Sequence, residues 1–416
     1  MQLKYFPWSG DYVGSMKAGN VDPSFVLPSA IATPAGGGVG APGASALADL
    51  DYLIGSEALA TQGTGEYKVS YPMGQGVVKD WDAMERYWSQ TLFKYMRCDP
   101  EDHHVLLTEP PMNAPENREL TAEIMFESFG VKGLYIGVQA VLALVASYSM
   151  GGQGGAKGGG AEALTDTVVD SGDGVTHVIP VADGYVIGSG IKSIPMAGRT
   201  LTHFVRDCLK ERGEPVPPED TLEAARTIKE QYCYTCSDMS KEFGRHHANP
   251  AKYVKQHSGV SSRLKKPWTC DVGYERFLAP ELFFNPEIFD HEWATPLPEI
   301  VDKVIMQSPI DVRRRLYGNV VLSGGTTMFK DFGRRLERDI SRRVQGRAQD
   351  RVREGKGAGA EVGVKVHSHA MQRYAVWFGG SVLASMPGFT SSCHTKAQYE
   401  EYGPSICRRN VVFNQI

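Results

Sequence analysis

No apolar run in this chain is long enough to cross a membrane. The longest, residues 134–146, is interrupted by Gln139 and falls well short of the ~20 residues a bilayer helix needs. The opening segment, MQLKYFPWSGDY, lacks the continuous apolar core of a secretory signal, so a cytoplasmic or nuclear location is expected. Charge of one sign is also missing: 44 lysines and arginines against 48 aspartates and glutamates leave a formal charge of −4. No global basic field draws nucleic acid. Cysteine is scarce, seven in 416 residues without regular spacing, which excludes a disulfide framework and fits a reducing compartment. Cys233 and Cys236 form one CxxC in a stretch of helical character, with no second pair to complete a zinc site, and read as two packed thiols. One nucleotide motif is absent as well: GxxxxGK[ST] does not occur, and the glycine pair at Gly324 and Gly325 is not part of a GxGxxG, so a Walker loop and a dinucleotide fold get no support.

What the chain does have is an ordinary globular composition, 42% hydrophobic and 22% charged, over a length too great for one compact core. Two or more domains are expected. The most informative stretch is VVDSGDGVTHVIPV, residues 168–181. Val168 and Val169 favour one strand, and Val175, Val178, Ile179 and Val181 a second. Gly172 and Gly174 free the turn between them for close approach to a ligand. Successive amides in such a turn can converge on anionic oxygens, and Asp170 at its edge can hold a hydrated Mg²⁺. An Asp-Gly hairpin turn also forms with no ligand at all.

A second glycine-bearing junction lies about 150 residues later, in NVVLSGGTTMFKDFGRRLERDI. A strand over 320–322 runs into Ser323, Gly324 and Gly325, and a helix is expected immediately after, capped by Thr326 or Thr327. Phe329, Phe332, Leu336 and Ile340 recur at helical spacing. A strand, two glycines and a helix start gather unpaired amides and a positive dipole end, which suits a nucleotide. A glycine pair that merely allows tight strand-to-helix packing reads the same way. Two such junctions point to a nucleotide held between two lobes.

Along the chain, strands and helices alternate between small-residue inserts. Residues 34–50 are Gly- and Ala-rich, residues 81–96 have helical spacing, 105–111 form a strand closed by prolines, and 116–130 a helix ending at Gly130. A short strand precedes a helix over 139–149. The run GGQGGAKGGG, residues 151–160, reads as a hinge. A helical stretch over 220–236 is followed by a polar, basic insert at about 241–266, and a charged, Gly-rich loop at 345–363 precedes the strand-like VKVHSH.

Five segments carry a family resemblance: LLTEPPMNAPENRELTAEIMFESFGVKGLYIGVQAVLAL, VVDSGDGVTHVIPVADGYVIGSGIKSIPMAGR, DVGYERFLAPELFFNPE, NVVLSGGTTMFKDFGRRL and MQRYAVWFGGSVLAS. From about residue 18 to about 410 the chain resembles actin and the actin-related proteins. The 241–266 insert, the 345–363 loop and wording such as DVGYERF set it apart from conventional actin. The resemblance implies an α/β, actin-like two-domain ATPase fold, two ribonuclease H-like domains around a cleft with ATP and Mg²⁺. It implies a first domain from about 1–150 plus 367–416, with a small subdomain at 34–74, and a second from 151–366, with one at 188–290. The turn over 170–175 resembles the second phosphate loop: Asp170 on Mg²⁺ through water, the amides of Gly172, Asp173 and Gly174 on phosphate, Val175 closing it. Gly324, Gly325, Thr326, Met328 and Phe329 resemble the adenosine wall, with Lys229 and Glu230 near base and ribose. Gln139 resembles the residue that orients the attacking water and His177 the one that helps move its proton, although Gln139 alone could pair within a helix and His177 could be a satisfied core histidine.

The chain departs from the family at its start. A first phosphate loop, DxG[ST]G, should face the second. Counting back from Ala18, Gly19 and Asn20, its Asp falls on Pro7 and its Lys on Gly14. With a turn one residue shorter, Asp11, Gly14, Ser15 and Lys17 partly stand in. The resemblance implies an ATP-binding subunit of an actin-nucleating complex, at the cytoskeleton, pairing with a second actin-related protein and scaffold subunits to start branched filaments. Actin filaments and nucleation-promoting factors are its implied partners, with slow ATP hydrolysis not required. The alternatives are a conventional filament subunit, a nuclear actin-related protein, or a phosphotransfer enzyme of the sugar-kinase and chaperone-ATPase superfamily, which would need an acceptor site with a general base.

Overall fold

A computed structural model describes residues 3–6, 8–9, 12–17, 19–20, 22–35, 52–62, 65–74, 76–150, 164–290, 295–355 and 362–408; up to residue 17 only the backbone path is described. Contacts divide the chain into two units, one of Met1–Ala163, Asp183–Gly188 and Tyr374–Ile416, the other of Leu164–Ala182 and Ser189–Arg373.

In the first unit the central sheet pairs Leu3–Phe6 in parallel with His104–Glu109, and that strand in parallel with Gly133–Val138. On its other side Leu3–Phe6 is antiparallel to Tyr12–Lys17, which in turn pairs with Phe25–Pro28. His104–Glu109 is buried along its whole length, as a strand covered on both faces must be. The helices Gln139–Ser149 and Ala375–Ser385 pack closely because Gly379 has no side chain. A Cβ there would lie 1.7 Å from the Leu142 carbonyl oxygen. The expected helix over 81–96 is α-helical only for Trp81–Gln90 and widens into a π-type turn over Thr91–Tyr95. Gly130 follows its helical stretch at φ +61°, a left-handed position that favours glycine.

The second unit repeats this order. Asp166–Ser171 pairs in parallel with Val320–Ser323, and that strand in parallel with Val366–His367. Asp166–Ser171 is antiparallel to Thr176–Ala182, which in turn pairs with Lys192–Ile194. An edge strand, a hairpin and two parallel strands thus occur twice in one chain. The core of the second unit gathers Val169, Val178, Leu201, Ile228, Phe283 and Phe332, all at most 1% exposed. Each such side chain contributes roughly 1.5–3 kcal/mol of burial.

The helix after the glycine pair does not begin at once: a 3₁₀ turn fills Gly325–Met328, and the long helix is Phe332–Arg353. Thr326 and Thr327 are therefore not its caps, and Phe329 packs on the core from an extended position before it. The interruption is geometric, because Lys330 bridges to Tyr234 and Asp331 turns left-handed at φ +66°. The same helix occupies 345–353, read above as loop. The helix over 220–236 ends at Tyr232, leaving Cys233 extended, so the CxxC is not helical. The basic insert forms a helix, Met239–Ala248, followed by a hairpin of Lys255–Val260 and Pro267–Val272. The hinge at 151–160 and most of the 34–50 run lie outside the described residues.

Candidate functional site

The glycine turn joins Asp166–Ser171 to Thr176–Ala182, and the ladder fixes what stands around Asp170. His177 is directly opposite it on one side and Ser323 directly opposite on the other. Residues so paired project from the same face of a sheet, giving a row of three polar side chains. Val175 lies within the turn just before the second strand. Burial raises the Asp170 carboxyl above its ordinary range. The neighbouring Ser323 hydroxyl, placed to interact with the carboxylate, acts in the opposite direction. Burial also pulls His177 down to about 4, so its ring is neutral at pH 7, and its buried Nδ1 has no hydrogen-bond partner.

Among the described residues no Lys or Arg forms an ion pair with Asp170. A buried carboxylate with no cationic partner among the described residues, beside a hydroxyl and a neutral imidazole on the same face, is a donor set that fits a hydrated Mg²⁺. Asp170 is the residue that would hold it.

The second glycine junction lies against the same turn. Gly324 sits at φ +89°, and a Cβ on it would lie 2.2 Å from the Ser171 carbonyl oxygen, so only glycine lets the two backbones meet. Its amide donates to the Gln372 carbonyl at 2.9 Å. The Thr326 hydroxyl donates to the Gly172 carbonyl at 2.6 Å, which ties the two junctions together. Gly325 and Met328 are exposed, the latter 51%. Behind Met328 and Phe329 a groove of about 510 Å³ runs past Glu337, Lys365 and Gln372, but it holds neither Asp170 nor Gly172.

Lys229 lies on the helix Thr221–Tyr232 and is buried. Its Nζ donates to the Gly198 carbonyl and the Thr202 hydroxyl, both at 2.9 Å. Burial lowers its pKa, opposed by the charges of Asp173 and Glu230. Glu230 is exposed and approaches Arg226 at 3.3 Å and Arg373 at 4.0 Å. Gln139 belongs to the first unit, where it is the buried first residue of the helix Gln139–Ser149.

Three residues beside the turn escaped the sequence reading. Gly198 and Arg199 open the helix Gly198–Glu211 directly against Gly172 and Asp173. Arg373 stands beside Gly325, its Cγ 3.8 Å from where a Cβ would be. A glycine immediately before an amphipathic helix, in PMAGRTL, was the available signal for the first two. At the other end of the chain, Gly14 and Ser15 lie in a strand, paired with Val26 and Phe25. Lys17 is in the same strand, paired with Lys4. Pro7 and Asp11 lie outside the described residues.

Comparison with known proteins agrees with this architecture. A family model described as Actin matches residues 17–412. The chain is 56% identical over 402 residues to Actin-related protein 3 of Drosophila melanogaster, covering 95% of this chain and 94% of that protein. It is 54% identical over 403 residues to Actin-related protein 3 of Dictyostelium discoideum, covering 96% and 94%. The protein of that name in Acanthamoeba castellanii is 54% identical over 411 residues, covering 95% and 94%. With a repeated α/β unit, a glycine turn closed by a second glycine junction, and identity of this extent, the chain belongs to the actin family.

Proposed function

We propose that this chain is an ATP-binding, actin-related subunit of an actin-nucleating complex. In it the chain pairs with a second actin-related protein and scaffold subunits to template new, branched filaments on actin, under nucleation-promoting factors. The observation that carries the reading is identity of 54–56% over about 95% of the chain to proteins named Actin-related protein 3. No described helix is long and apolar enough to cross a membrane, and the reading places the protein in the cytoplasm at the cytoskeleton. The two actin-like domains are residues 1–150 with 367–416, and 151–366, with small subdomains at about 34–74 and 188–290.

In this reading Asp170 holds Mg²⁺ through water, and the amides of Gly172, Asp173 and Gly174 face the phosphates. Mg²⁺ supplies neutralisation of charge on the phosphate oxygens. Gly324, Gly325, Thr326, Met328 and Phe329 form the adenosine wall, with Lys229 and Glu230 toward base and ribose. Gln139 orients the water and His177, neutral at pH 7, can accept a proton from it. Positioning of this kind is most of what phosphoryl transfer asks of a protein.

Two measurements test the proposal. Recovery of the chain with a second actin-related protein and scaffold subunits is expected, whereas filament assembly by the pure chain would identify a conventional filament subunit. ATP titrations with and without Mg²⁺ should show Mg²⁺-dependent affinity that Asp170→Ala weakens. Equal affinity in both proteins would remove Asp170 from the metal site.

A further inference from the structure

The phosphate turn is gripped from behind. The Gly172 carbonyl accepts the Gly198 amide at 3.1 Å as well as the Thr326 hydroxyl, and the Asp173 carbonyl accepts the Arg199 amide at 2.8 Å. A trans peptide unit directs its N–H opposite to its C=O. Holding these two carbonyls toward the helix Gly198–Glu211 therefore turns the amides of Asp173 and Gly174 the other way, out of the scaffold. The first amides of that helix, which would otherwise be unpaired, are spent on aiming the turn. The contact is tight: a Cβ on Gly198 would lie 2.9 Å from Thr326 Oγ1 and 3.2 Å from both Asp173 Oδ1 and the Gly172 oxygen.

The turn has one liability for an anion, the carboxylate of Asp173. Arg199 Nε donates to its Oδ2 at 3.1 Å, and the Lys229 ammonium also feels its charge. We infer that Arg199 is a positioning residue for nucleotide binding: its amide aims the Gly174 N–H at the phosphates, and its guanidinium holds the Asp173 carboxylate away from them. This rests on the nucleotide reading above. The side chains of the pair are 49% and 27% exposed, so the ion pair adds little to folding stability. Its effect is on the ligand.

The test uses the whole protein, or its complex, with Mg²⁺ and three probes: ATP, ADP and adenosine. Arg199→Ala removes the guanidinium from the carboxylate beside the phosphates, and repulsion grows with ligand charge. The variant should lose about tenfold in ATP affinity at low salt, less for ADP, and little for adenosine. Adding Asp173→Asn to that variant should restore ATP binding, and thermal unfolding should stay close to wild type throughout. An equal loss for all three ligands without rescue, or no loss, overturns the inference while leaving the nucleotide reading in place. A wild-type protein that binds no ATP overturns both.

Discussion

Replacing His177 with glutamine should remove part of the protein's loss of stability in acid. The ring stands opposite Asp170, its Nδ1 is buried without a partner, and burial takes its pKa from 6.5 to about 4. An unfolded imidazole takes a proton near pH 6.5, the folded one only near 4. Between those values the unfolded state holds more protons, so the contribution is whole above pH 6.5 and drains away as pH falls toward 4. At 1.36 kcal/mol per pH unit the full loss is about 3 kcal/mol, and about 2 kcal/mol of it has gone by pH 5. Asp170 acts in the opposite sense, because its raised pKa makes its contribution shrink as pH rises through the folded value. The effect of His177 is therefore read as a difference between two proteins. Urea unfolding of nucleotide-free wild type and His177→Gln at pH 7.5 and 5.0 supplies it, since packing lost with the ring is independent of pH and cancels. The drop between the two pH values should be about 2 kcal/mol smaller in the variant. Parallel drops, or a His177 ring that titrates near 6.5 by NMR, would refute the burial argument.

Asp170→Asn should raise the melting temperature of the nucleotide-free protein at neutral pH, by removing a desolvated charge, while weakening Mg²⁺-dependent ATP binding; a lower melting temperature would mean the carboxylate has a counter-charge. Gly324→Ala forces a side chain into φ +89° and onto the Ser171 carbonyl, and should cost more than about 2 kcal/mol in urea unfolding; a change under about 0.5 kcal/mol would show that the junction can separate. Glu281 is fully buried and bound by Arg335 at 3.1 Å and Asn285 at 2.6 Å, so Glu281→Gln should destabilise by about 3 kcal/mol on the same assay, and a neutral result would show that Asp339 alone satisfies the arginine. Pro7→Asp restores the family's acid at the first phosphate loop and should tighten Mg²⁺-dependent ATP binding, with Asp11→Asn neutral in the same titration. The reverse pattern would mean that Asp11 already serves as that acid.

How far the fold was legible depended on how local its causes are. The helix Gln139–Ser149 is fixed by its own apolar run and matches its expected limits. The hairpin around the phosphate turn was visible in valines on either side of two glycines, though Asp166, Thr167 and Thr176 extend its strands through pairing that apolar content does not encode. The basic insert shows no periodicity of its own, because its order is owed to contacts with residues outside it. Trp268 covers Gly259, where a Cβ would lie 2.4 Å from the ring, and the Ser262 amide donates to Asp220 at 3.0 Å. The start of the Phe332–Arg353 helix was misplaced for a related reason. Phe329 has the right spacing for that helix but reaches the same core from an extended residue, and periodicity records only which side chains are buried.

The candidate site was legible residue by residue but not as an arrangement. Asp170 and His177 are seven apart in sequence, which says nothing about facing; they share a face because the four-residue turn sets an antiparallel register, and Ser323 joins them only through a parallel strand 150 residues on. Desolvation then acts on both titratable groups, raising one and lowering the other, so that each tends toward its neutral form without a ligand. A divalent cation alters that balance directly, because it favours the charged carboxylate and leaves a neutral imidazole beside it. The repeated topology gives this weight. In the first unit Trp8–Ser9 pairs with Tyr12–Val13, and counting along the family pattern puts its acid at Pro7 or, with a turn one residue shorter, at Asp11. In the function proposed above, neutralisation of the phosphates would rest mainly on the second turn, on Asp170 and on the backbone that Gly198, Arg199 and Thr326 hold in place.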